Sequence, residues 1–130
     1  MIGRPTGIST VLQLAATTLF ALVMASPLLG ATLTVNSTSD DNDGVWGNGH
    51  DTLREAISHA APGDTIQIST TGTITLGSAL PTIAYDLTIA GPGAALLAVS
   101  GNHACRVLMI SGGNVSISGL TIRDGQLLNP

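Results

Sequence analysis

Two stretches of this chain, LTIAG at 87–91 and VSISG at 115–119, superpose at a shift of 28 residues, with Gly91 falling on Gly119. The same pattern surrounds them: two or three apolar residues alternating with Thr, Ser or another polar residue, then Gly or Pro. Alternation with a period of two puts the apolar residues on one face of a strand. Each strand is too short to bury that face alone, so the segments must pile on one another. TIQIS at 65–69 superposes on DLTIA at 86–90 at a shift of 21. Grouped in threes, the segments fall at 66–68, 74–76 and 80–83, then 87–89, 97–99 and 107–110, then 115–117, 120–122 and 127–128. Coils of 21–28 residues with three short strands each predict an all-β fold, a parallel β-helix of about three coils over residues 65–130. An antiparallel sandwich also uses many short strands. Its hairpins prefer two-residue Asn-Gly or Asp-Gly turns, and the only such pairs, Asp43-Gly44 and Asp124-Gly125, lie between no two good strands.

Ahead of the coils, ATLTV at 31–35 reads as a strand, and the Asp/Asn/Gly-rich stretch to residue 51 reads as a loop. The spacing then changes. Leu53, Ala56, Ile57 and Ala60 recur at i, i+3, i+4 and i+7, the stripe of a helix. Thr52 and Glu55 stand three apart, as a capping box requires, and Pro62-Gly63 ends the segment. About nine residues of helix have no stability alone in water. A first coil, by contrast, exposes an apolar interior and unpaired backbone groups that need cover. The helix is therefore expected to close the bottom of the stack, within an amino-terminal unit spanning 32–64.

Residues 1–31 differ from the rest. Arg4 is followed by VLQLAATTLFALVMASPLLGA (11–31), which carries no charge and ends in small residues. That is the pattern of a secretory signal peptide cleaved between 25 and 31, with an uncleaved membrane anchor as the alternative. The remainder is poor in charge. Only 9% of residues are charged and the net charge is −4. The only cations besides histidine are Arg4, Arg54, Arg106 and Arg123, too few and too scattered to bind nucleic acid. Cys105 is the single cysteine, so no internal disulfide is available. In HACRVLMI (103–110) it reads as a small buried hydrophobe, with His103 the nearest group able to activate it.

DDNDGVWGNGHDTLREAISHAAPGDTIQI (40–68) resembles the amino-terminal segment known as the CSLREA domain, which opens bacterial exported right-handed β-helix proteins. TLREAI at 52–57 carries the core of that motif, and GDTIQI (63–68) and LTIAGPG (87–93) are similar to the first coils of pectin-lyase-like folds. The resemblance spans roughly 32–125 and implies a right-handed parallel β-helix with a short amino-terminal capping α-helix. Members of that family often carry one cysteine in the loop and another opening the motif. Trp46 and Asp51 occupy those places here. The resemblance thus implies that this chain has given up a disulfide and holds the loop by packing, with the Trp46 ring over the helix.

Asp40, Asp41, Asn42, Asp43 and Asp51 offer oxygens suited to Ca²⁺. Their spacing does not fit the twelve-residue calcium loop, and such clusters are also ordinary loop composition. Asp64, Asp86, Arg106, Arg123 and Asp124 are candidates to face outward on the coils. Polysaccharide lyases of the resembling fold use carboxylates with a basic residue, yet nothing in the spacing groups these five, and Arg123-Asp124 reads as a surface pair at a turn. Beyond residue 31 only Trp46 and Tyr85 are aromatic, poor provision for stacking sugar rings. His50, His59 and His103 are dispersed, and His59, four residues after Glu55, reads as its partner on the helix surface. No catalytic, cofactor or metal residue is assigned.

The expected function is that of an exported bacterial β-helix protein, secreted or at the cell surface. Its role would be structural or adhesive toward an extracellular polysaccharide or protein, without catalysis in this segment. The alternative is the start of a polysaccharide lyase or glycoside hydrolase whose active site lies on later coils. The apolar ending GLTIRDGQLLNP (119–130) lacks the polar cap a terminal coil needs, so a chain belonging to a longer protein is expected.

Overall fold

The computed structural model describes residues 29–127. The signal segment therefore lies almost wholly outside the described residues, as does the end of the segment expected at 127–128. The elements are β1 (Thr32–Val35), α1 (Leu53–His59), β2 (Asp64–Ile68), β3 (Gly72–Thr75), β4 (Leu87–Ala90), β5 (Leu97–Ser100), β6 (Val115–Ser118) and β7 (Thr121–Arg123). The strands form two sheets, in the orders β1-β2-β4-β6 and β3-β5-β7. Every pairing is parallel. The chain alternates between the sheets, so among the described residues the fold is mostly strand, in parallel sheets, with one short helix.

Register shows why the apolar residues recur as they do. Leu33 faces Ile66, Ile66 faces Ile89, and Ile89 faces Ile117. In the second sheet Ile74 faces Val99, which faces Ile122. Because partners point the same way from the pleat, each series is a column of apolar side chains; Leu33, Ile66, Ile89, Ile74 and Val99 belong to one buried cluster, Ile117 packs against it, and Ile122 is half-exposed. A narrow gap along the interior is lined from Leu53 to Ile122 by apolar side chains alone, among them Leu80, Ile89, Val99 and Ile117. Burying each Ile or Leu of these columns stabilises the fold by about 2 kcal/mol.

Three expectations need correction. The pairing of β4 with β6 follows the predicted shift of 28, but β2 pairs with β4 at a shift of 23 rather than 21, Thr65 facing Thr88. A slip of two residues leaves the same side chains inside, so alternation alone does not separate the two registers. The third segments, 80–83 and 107–110, are not strands. They meet only in one parallel bridge between Ile83 and Ile110, with hydrogen bonds from the Leu80 and Ile83 amides to the Val107 and Met109 carbonyls. Pro81, which has no N–H, interrupts that side. Finally, β1 is not outside the stack. It is the first strand of the larger sheet, in full register with β2.

The helix is shorter than expected, seven residues, and capped as predicted. The Glu55 amide donates to Thr52 Oγ1 at 3.1 Å, and the Glu55 carboxylate accepts from the Thr52 amide at 3.0 Å. Leu53, Ala56 and Ile57 are buried in the core beside β1 and β2, and Ala60 packs against it. The Tyr85 hydroxyl lies 3.2 Å from the Ile57 carbonyl and 3.0 Å from that of Ala60, partnering carbonyls that a helix end leaves free. The helix thus covers the side of the stack occupied in the next turns by 78–85 and 107–110.

Candidate functional site

The densest group of polar side chains lies where the 36–51 loop meets α1. Its centre is Arg54. The guanidinium donates to the Asp40 carboxylate through Nε at 3.0 Å and Nη2 at 2.9 Å, and to the Ser78 and Ala79 carbonyls at 2.7 and 2.8 Å. The planar fork of arginine suits this double task, which the single ammonium of lysine would not perform. Asp40 also accepts the Gly77 amide at 2.8 Å. One mostly buried ion pair therefore fastens loop, helix and first turn together.

The other acids of the loop are engaged in the same manner. Glu55 is buried, and its second carboxylate oxygen accepts the Asp43 amide at 2.9 Å. Thr52 Oγ1 donates to the Asp41 carbonyl at 2.8 Å. Asp51, also buried, accepts the Gly47 amide, while its own amide donates to Asn36 Oδ1. Asp43 is exposed, and the Val45 amide, with help from the Asn48 side chain, holds its carboxyl below its ordinary value against a slight loss of water. Asn42 takes the Gly44 amide, and Asp41 stands 3.4 Å from His50. Of the residues that suggested Ca²⁺, Asp40, Asn42, Asp43 and Asp51 each accept a backbone amide, Asp40 also holds Arg54, and Asp41 stands beside His50. Among the described residues no three His, Cys, Asp or Glu side chains are grouped to hold a metal ion.

The remaining candidates do not converge. Asp64 does not face outward: it is buried, and its two oxygens accept the Ala31 and Ala61 amides at 2.7 and 2.8 Å, tying the start of β1 to the end of α1. Asp86 accepts the Asn114 amide on the next turn. Arg123 and Asp124 form the expected surface pair at 3.3 Å, and Asp124 also accepts from Ser100 Oγ. His59 does not pair with Glu55, whose oxygens are already taken. It stacks instead on Trp46, centroids 5.6 Å apart and planes 14° from parallel, so the indole does lie over the end of α1. Cys105 is buried with its thiol toward the Gly101 carbonyl, and His103 is 3.4 Å from Asp124 rather than beside the sulfur.

A shallow groove of about 390 Å³ runs along the third side, lined by Ser78, Thr82, Cys105, Arg106, Met109 and Gln126. Arg106 contacts Met109 Sδ there at 3.0 Å. The groove's lining is mostly apolar, with Leu80 and Leu127 also contributing, and its one charged side chain is Arg106. Sequence reasoning missed Arg54 as a clamp. The available signal was that a chain with four arginines placed one of them in this short helical segment, next to the apolar stripe. No family model, curated protein or solved structure matches the chain.

Proposed function

We propose that the chain is the capped amino-terminal part of an exported bacterial right-handed parallel β-helix protein of the kind that the CSLREA-like motif TLREAI (52–57) implies. Its role is structural or adhesive, at the cell surface or in the medium, and no reaction is carried out by these residues. The observation that supports this most is the register: from β2 onward partners recur 23 to 28 residues apart in both sheets, and β1 pairs with β2 at a shift of 33, each turn laying apolar residues on the turn below. A stack of that kind is a rigid spacer with long side faces. Those faces are polar without being charged, as in Thr32, Thr65, Thr88 and Ser116 along one sheet, and suit hydrogen bonding to an extracellular polysaccharide or protein. The acids and Arg54 near α1 maintain the cap, which fits a building role better than a chemical one. Asp51, at one of the two places where the resembling family often has cysteines, accepts the amide of Gly47, the residue after the other place, Trp46.

The test is export. The whole coding sequence is expressed in a Gram-negative host, and cell fractions and medium are examined by mass spectrometry. The reading expects a product shortened to begin between residues 26 and 32, found in the envelope or the medium. A full-length chain confined to the cytoplasm overturns it.

A further inference from the structure

The ladder of the larger sheet reaches back before β1. Thr32 faces Thr65, and the same register carried two residues earlier sets Ala31 beside Asp64 and Gly30 beside Gly63. The Ala31 carbonyl accepts the Thr65 amide at 2.8 Å, and the Ala31 amide donates to Asp64 Oδ1 at 2.7 Å. Asp64 is only 8% exposed, and its other oxygen is taken by the Ala61 amide. Gly30 lies so close to Gly63 that a Cβ on it would overlap the Gly63 carbonyl. Both residues are exposed at their surface, so backbone contacts rather than burial hold them to the sheet.

These contacts bear on where a leader can be removed. Two alanines, Ala25 and Ala31, offer the small residue that an export peptidase requires just before the cut. A cut after Ala31 discards Gly30 and Ala31. It leaves one oxygen of the buried Asp64 carboxylate without its amide, the kind of loss that costs a fold the full desolvation of the orphaned group. A cut after Ala25 keeps every one of these contacts. The residues around that bond lie outside the described ones, and the sequence alone speaks for it. Val23 and Ala25 stand third and first before the cut, where small side chains are needed, against Leu29 and Ala31 for the other bond. The scissile nitrogen belongs to Ser26, so Pro27 does not enter the bond.

We propose that the leader is removed by hydrolysis of the Ala25–Ser26 bond, so that the mature chain begins at Ser26 and keeps Gly30 and Ala31 as the first rung of the larger sheet. Water gives its oxygen to the new Ala25 carboxylate and both its hydrogens to the new Ser26 ammonium. The proposal rests on the export reading and adds to it the bond that is cut.

Amino-terminal sequencing and intact mass of the product exported by a Gram-negative host test it. The expected first residue is Ser26. An exported product beginning at Ala31 or Thr32 overturns the proposal and leaves the export reading standing, whereas a full-length chain confined to the cytoplasm overturns both. Short pulse labelling with radioactive methionine, which Met109 retains in the mature chain, reads processing before folding and before any later trimming. It is applied to the full coding sequence carrying Ala25→Phe or Ala31→Phe. Ala25→Phe is expected to abolish the Ser26 product and leave the precursor to accumulate, while Ala31→Phe is processed like the parent. Any other pattern overturns the assignment of the bond.

Discussion

Asp40 shows how a single acid is used in a chain that has few. Its carboxylate is held by Arg54 from one side and by the Gly77 amide from another, so it joins three segments far apart in sequence. Removing it with Asp40→Ala leaves a mostly buried guanidinium short of its counter-charge, and the expected loss is about 3 kcal/mol. Asp40→Asn keeps an acceptor for Gly77 and should lose less. Urea unfolding followed by Trp46, the only tryptophan, reads both. Asp43 makes a second prediction. A carboxyl held below its ordinary value of 3.8 favours the folded state while ionised. That contribution is complete above the ordinary value and is lost as the pH falls through the lowered one. The urea midpoint should therefore decline below pH 3.8 more steeply in the parent than in Asp43→Asn. Equal slopes would remove Asp43 from the account.

Turns between elements set the height of each layer. Gly91 and Gly119 lie back to back where the larger sheet hands over to the smaller, and a Cβ on either would run into the carbonyl of the other. Gly119 also has φ of +68°, in the region that glycine adopts without penalty. Gly91→Ala is expected to cost on the order of 3 kcal/mol, through a clash with backbone that cannot move aside. Thermal unfolding checks it, and a change within 0.5 kcal/mol, the range of ordinary surface substitutions, would contradict the stacking. This pair explains why the shift of 28 was legible beforehand: the glycines marked it. The 23-residue shift of β2 against β4 was not, because its two-residue difference from 21 moves no side chain between faces. The capping box was legible because its residues, Thr52 and Glu55, are only three apart in sequence. The Arg54 clamp and the buried position of Asp64 were hidden, since both depend on carbonyls and amides brought near only by folding.

For the whole molecule, the sequence pattern carried the class of fold further than the detail of its sides. Three strands per turn were expected and two are present, because Pro81 reduces the third side to the Ile83–Ile110 bridge. The groove on that side was not foreseeable, as it depends on which turn a residue occupies rather than on its neighbours in the chain. What unites these features is a shared interior. Leu33, Ile66, Ile89 and Ile117 are separated by 84 positions from first to last, yet they form one line of contacts. The α1 stripe packs against its first two strands, β1 and β2.

Interstrand nuclear Overhauser effects test the arrangement most directly. With Leu, Ile and Val residues isotopically labelled, the structure predicts contacts between the backbones of Ile66 and Ile89 and of Ile89 and Ile117, in the spacing of parallel strands, together with methyl contacts from Leu53 and Ile57 into the same column. Antiparallel contacts between successive strands, or an α1 whose methyl groups touch no strand, would contradict it.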